Sequence, residues 1–456
     1  MATPYPADNP YLSGGFEPIR FECDYDDLIV EGEIPVDLAG CLYRIGPNPQ
    51  YAPLGLYSPL GGDGMIHAFN IRRGRVSYRN RWVRTQQWQQ ERAAGRALFG
   101  TQGSGGVQTD GVANTNLAWH AGRLLALEEG HAPIEIDPVT LGTLGVWDFA
   151  GSNVTAHPKI DPDSGAAVWF ANFPNRDFTG VINLCVVDRG GRLVRRERVV
   201  GPYPGLIHDC ALTRDFVIFF LSPLTVSIER ARAGRPAVAW EPERGSWLGV
   251  VPRAGGGAPQ WVSMPARMVW HAMNAFNDDQ AIYVDVCEQA AAAFPSVSGV
   301  APAQEQLQQF LTRWRLDWPG GRQVLSERLS DVVCEYPRID ERGCGREYRY
   351  GFVACHGGPG AGDLFHRAIG RFDHITRRME VYRADDACAV SEPVFVPRSP
   401  AAAEAEGYVL TVNFDERRKA SHLAIFDAQT LERGPIARAL LDHRVPMGFH
   451  GTWLPR

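Results

Sequence analysis

Short apolar or alternating runs, each strand-sized and each closed by a turn, recur along this chain from end to end. Examples are "GRLLALEE", "AAVWFANF", "VINLCVVD", "FVIFFLS", "AIYVDVC", "YGFVACH", "YVLTVNF" and "HLAIFDA". Alternation with a period of two, or a brief continuous apolar run between turn signals, predicts β-strands. The segments between them, such as "DPDSG", "NDDQ", "DRGGR" and "DERR", carry the Asp, Asn and Gly chemistry of tight turns, so successive runs predict antiparallel hairpins. Helical patterning predicts chiefly two segments, Gln87 to Leu98 and Ala303 to Trp314.

Many short strands spread evenly over 456 residues, with no low-complexity linker, predict an all-β chain built by radial repetition rather than two sandwiches. A β-propeller fits best, although no WD or kelch signature fixes the number of blades. Length alone also admits two or three separate cores. A 45% hydrophobic and 21% charged composition with a net charge of −6 is that of a soluble globular protein, and it argues against a nucleic-acid partner. The N-terminal "MATPYPADNPYLSGGF" has no basic n-region or apolar h-region, and no later run is apolar enough to span a bilayer, so the expected location is the cytoplasm. Nine cysteines without a CxxC pair fit reduced thiols, most of them small buried hydrophobes.

Histidine carries the candidate chemistry. His120, His374, His422 and His443 sit in contexts where a solvated or packing role is the default. Three others share a setting: His157 in "SNVTAHPKIDPDSGAAVWFANF", His208 in "GLIHDCALTRDFVIFFLSP" and His271 in "VWHAMNAFNDDQAIYVDVC". In each, histidine precedes a polar turn and an aliphatic strand, which is hairpin geometry. One imidazole per blade at equal depth would reach the axis of a propeller. His450, in the closing "GFHGTW", would be a fourth if the last strand returns beside the first to close the ring. Four unrelated core histidines satisfied by backbone carbonyls fit the spacing equally well. Imidazole-only ligation suits Zn, Cu, Fe or Ni without choosing among them.

"YRIGPNPQY", "GGDGMIHAF", "TAHPKIDP", "LIHDCALT", "WHAMNAF", "CEYPRID", "SEPVFVP" and "GFHGTW", in this order, resemble the carotenoid cleavage oxygenase family from about Asp26 to the C-terminus. The resemblance implies a single seven-bladed β-propeller over residues 1–456 with dome insertions above an axial metal, and residues 1–25 as an N-terminal extension. It implies Fe(II) held by His157, His208, His271 and His450. It places Glu129, Glu335 and Glu392 behind three of these ligands, where a carboxylate fixes the tautomer of a ligating imidazole.

The implied activity is O2-dependent cleavage of a conjugated C=C to two carbonyl products, with the electrons coming from the alkene. A non-catalytic scaffold and a metal-dependent isomerase are the other readings. Family members divide between carotenoid or apocarotenoid substrates and phenolic stilbenes or phenylpropanoids. The phenol-cleaving members resemble one another in a Tyr after "FG" and a Lys before the first Glu. Here Gln102 and Glu128 stand at those positions. A carboxylate repels a phenolate, which favours an apolar polyene, while a neutral phenol donating to Glu128 stays open. A lipid-borne substrate implies peripheral membrane contact, for which "QAAAAFPSVSGVAP" from Gln289 is a candidate; a loop packed against the dome is the plainer reading of that segment.

Overall fold

The period-two runs form antiparallel strands throughout the computed structural model, which describes residues 4–100, 110–148, 153–172, 179–357 and 365–456. Chain contacts divide it into two compact units, Met1–Gly151 with Tyr382–Arg456, and Ser152–Val381.

In the first unit the wholly buried strand Gly40–Pro47 lies between Gly64–Arg72 and the C-terminal strand Gly451–Pro455, with Arg75–Trp82 and Asp24–Tyr25 farther out. Gly40 faces Pro455 and Arg44 faces Gly451, so ladder hydrogen bonds repay the ordering of the tail. A second sheet is the meander Asn116–His120, Arg123–Leu127, Ile134–Ile136 and Thr143–Val146. A third joins Ile29–Gly32 to Ala437–Leu440, Ala420–Asp427 and Gly407–Asp415, with Cys388–Ala389 and Val394–Pro397 both beside the last strand. Leu42, Phe69, Tyr78, Tyr408 and Leu423 share one core cluster, which binds both ends of the chain into this unit. The stretch read as an N-terminal extension packs here too, for Leu12 and Ile19 are buried and Tyr25 pairs with Tyr78.

The second unit holds a four-stranded sheet, Lys159–Ile160, Ala167–Asn172, Val181–Val187 and Leu193–Val200. Next comes a six-stranded sheet around the long strand Phe216–Val226. A seven-stranded sheet runs from Met268–Asn277 to Arg378–Arg383. Its 15-residue strand Val324–Arg338 pairs through its first half with Phe310–Asp317 and through its end with Tyr350–Cys355, so the sheet consists of two antiparallel groups sharing one strand.

The helix expected from Gln87 is present as Gln86–Ala94, capped by the Thr85 side chain accepting from Trp88 N–H and ended by Gly95 at φ 67°. The helix expected over Ala303–Trp314 is not. Gln304–Leu307 form one 3-10 turn, and Phe310–Asp317 is a strand whose Thr312, Trp314 and Leu316 point inward while Arg315 and Asp317 point out. Period two wins there because both edges of the strand find partners.

All nine cysteines are free thiols and seven are buried. His120 and His422 are buried packing residues, and burial pushes His422 down to about 4. Ala291 and Ala292 of the alanine run are buried against Leu224, Trp240 and Met268. Among the described residues no helix is long and apolar enough to cross a membrane.

Candidate metal centre

His157, His208 and His271, all in the second unit, each stand where regular pairing breaks down. His157 precedes the two-residue strand Lys159–Ile160, and its N–H donates to the Thr155 hydroxyl at 2.9 Å. His208 sits between the strands Gly205–Leu206 and Cys210–Leu212. His271 lies in Met268–Asn277 at a register shift between Val269 and Ala272, and such a bulge re-aims a side chain.

The three rings converge. Centroid separations are 4.6 Å for His157 and His208, 5.0 Å for His157 and His271, and 5.2 Å for His208 and His271. Nε2 of His208 and Nε2 of His271 are 3.4 Å apart, and the ligand atoms of His157 and His271 lie within 4.8 Å. His157 and His208 are both buried.

Glu335 stands behind His271, its Oε2 accepting from Nδ1 at 2.7 Å. That bond assigns the ring proton to Nδ1 and leaves the Nε2 lone pair turned toward His208. A second bulge holds the carboxylate in place. The register of Val324–Arg338 shifts after Glu335, Tyr336 adopts φ 53°, and its N–H donates back to Glu335 Oε2. A left-handed backbone at a bulky residue is an outlier that its surroundings must hold. Here the Tyr336 ring stacks on His271, with centroids 5.6 Å apart and planes at 23°. Tyr336 also meets His366 edge-on, and burial, followed by the neighbouring His356, pushes His366 down to about 3.

In the first unit His450 and Glu392 form the same pairing. Glu392 Oε1 accepts from His450 Nδ1 at 2.9 Å and Oε2 from Gly451 N–H at 2.8 Å, with both side chains buried. Glu129 is exposed in the turn after Arg123–Leu127. Its neighbour Glu128 turns inward. Oε2 accepts from Val112 N–H at 2.7 Å and Ala113 N–H at 3.1 Å, while Oε1 meets His131 Nδ1. Gly111, at φ 85°, admits this arrangement, because a Cβ there would lie 2.5 Å from Glu128 Oε1. Gln102 lies outside the described residues.

The sequence reading missed His131, Tyr336, Lys159 and Asp209. The last three stand inside motifs it quoted, one or two residues from a named histidine or glutamate. Three converging imidazoles, with one tautomer fixed by a carboxylate so that a lone pair faces its neighbour, are a donor set that fits a divalent transition metal.

Comparisons with known proteins agree with this chemistry. The family model of RPE65, retinal pigment epithelial membrane protein, matches residues 16–455. An isoeugenol monooxygenase of Pseudomonas nitroreducens is 36% identical, covering 98% of each chain. The crystal structure of Pseudomonas brassicacearum lignostilbene dioxygenase superposes with a TM-score of 0.95 at 34% identity over 100% of both chains. That of the cobalt-substituted Synechocystis apocarotenoid oxygenase gives 0.86 at 30% identity over 97% of this chain and 98% of the other. This chain belongs to the RPE65 family, and the relatives it matches within that family are oxygenases.

Proposed function

We propose that this protein binds Fe(II) through His157, His208, His271 and His450, and uses O2 to cleave the ring-conjugated C=C of a phenolic phenylpropene or stilbene into two carbonyl products. The observation that carries the reading is the convergence of His157, His208 and His271 with Glu335 on the outer nitrogen of His271. His450 joins the set by resemblance and by its like pairing with Glu392. The same reading takes the strand groups as blades of one seven-bladed propeller. It is supported by three sheets in the first unit and four groups in the second, counting the halves of the long sheet separately.

Ferrous iron, when bound, supplies the activation of O2. The protein's own residues fix the ligands. Glu335 and Glu392 hold the Nδ1 protons of His271 and His450, keeping each Nε2 lone pair for the metal, and their charge offsets the dication. The alkene supplies the electrons: its C=C and one O2 give two C=O groups, with no external reductant.

The setting of Glu128 weakens the electrostatic case against a phenol. Repulsion of a phenolate presumes that Glu128 presents a bare carboxylate, whereas both its oxygens are engaged by two backbone N–H groups and His131. With that objection weakened, the similarity to the isoeugenol and lignostilbene enzymes supports a phenol bearing a conjugated double bond as the substrate. We expect aldehyde formation under O2 to be faster on isoeugenol or resveratrol than on an apocarotenal, assayed side by side. Cleavage of the polyene with the phenols left intact would move the substrate class to apocarotenoids on the same metal centre.

Glu335→Gln and Glu392→Gln should fold and lose iron affinity by about 10-fold to 100-fold, as outer partners of metal ligands do, read by competition with a chelator. Parental affinity in both would remove them from the centre. Glu129 keeps its proposed role on the resemblance alone, and the same titration of Glu129→Gln decides it.

A further inference from the structure

Beside His208 in the chain stands a buried carboxylate that the sequence reading did not single out. Asp209 is 1% exposed in its side chain, follows His208, and bonds to all three histidine-bearing segments. Its Oδ1 pairs with Lys159 Nζ at 2.8 Å, and Lys159 is two residues beyond His157. Its Oδ2 accepts from Ala272 N–H at 3.0 Å, and Ala272 follows His271. Oδ1 also accepts from Cys210 N–H at 2.7 Å, closing the turn on its own segment.

We propose that Asp209, with Lys159, is the positioning device that sets the mutual spacing of His157, His208 and His271 and so tunes metal affinity and ligand field. The inference rests on the metal-centre reading above. Energetics support it. Desolvating a carboxylate and much of an ammonium group is costly, so such a pair is a poor source of stability. What it provides is geometry, since two oxygens with fixed lone-pair directions tie three segments that no continuous β-ladder joins at these positions. The Thr155 hydroxyl adds a lesser tie, accepting from His157 N–H and reaching the His208 carbonyl at 3.5 Å.

The test compares the full-length protein with Asp209→Glu and with the double variant Asp209→Asn/Lys159→Met, which removes both charges together and so leaves no unpaired ion. Three readouts are needed: melting temperature of the metal-free protein, Co(II) affinity by chelator competition, and the visible absorption of the cobalt form. Both variants should bind Co(II) at least about 10-fold more weakly, the scale of outer-partner effects, and with a shifted spectrum. The double variant should stay folded, since it leaves no uncompensated buried charge. Asp209→Glu keeps the charge and displaces it by one methylene, so it carries the same test should the double variant not fold. Parental Co(II) affinity and spectrum in either folded variant would overturn the proposal. A parent that binds no Co(II) would instead overturn the metal-centre reading on which it rests.

Discussion

His208→Ala is expected to abolish iron binding and alkene cleavage together while leaving the fold in place. The side chain is buried, and its ring meets His157 and His271 at 4.6 Å and 5.2 Å and Trp270 edge-on at 5.0 Å. Removing it withdraws one of three convergent donors in the second unit without opening a ladder, because His208 stands between strands and not within one. Truncating a buried side chain still costs stability, typically about 1 kcal/mol with a long tail, so the melting temperature should fall modestly. Activity should fall to the assay floor. His120→Ala is the contrast: also buried, it lies at the end of Asn116–His120 outside the cluster and should lose stability without losing metal. Iron at parental occupancy in His208→Ala would remove His208 from the ligand set.

Gly448→Ala is expected to destabilise the protein and loosen its C-terminal segment. A Cβ at Gly448 would lie 2.6 Å from the Ile45 carbonyl oxygen and 2.9 Å from Gly46 Cα, and neither backbone atom has a rotamer with which to yield. Around this contact Phe449 N–H donates to Ile45 O at 3.1 Å and Ile45 N–H to His450 O at 3.0 Å. Forcing the strands apart therefore breaks the start of the Gly40–Arg44 ladder and displaces His450 and its bond to Glu392. Overpacking of this kind costs about 1–3 kcal/mol, and the loss of ladder bonds adds to it. We expect a lower melting temperature, proteolytic nicking of the tail, and weaker iron binding in the same variant. Parental melting and an uncut tail would show that this contact does not order the terminus.

Strands were legible in the sequence because alternation reports burial directly, and the three histidines were legible because each stands beside a turn that the same alternation exposes. Ala303–Trp314 was misread for a related reason. Phe310, Leu311 and Trp314 also satisfy a helical spacing, and only the partners on either side, Ala281–Gln289 and Val324–Arg338, select period two. Glu128 was read as an electrostatic obstacle, since no local pattern reveals that a left-handed Gly111 lets its carboxylate reach Val112 N–H, Ala113 N–H and His131. The Asp209 and Lys159 pair was invisible for the deeper reason that its partners lie far apart in the chain, and a single sequence carries no record of which distant residues meet.

Anaerobic titration of Fe(II) into metal-free protein, followed by exposure to O2 with isoeugenol as substrate, shows whether cleavage follows the metal. Cleavage should rise in proportion to added iron, saturate at one equivalent per chain, and yield one aromatic aldehyde for each O2 consumed. Cleavage that is independent of iron, or saturated binding at one equivalent with no consumption of O2 on isoeugenol, resveratrol or an apocarotenal, would contradict the proposed function.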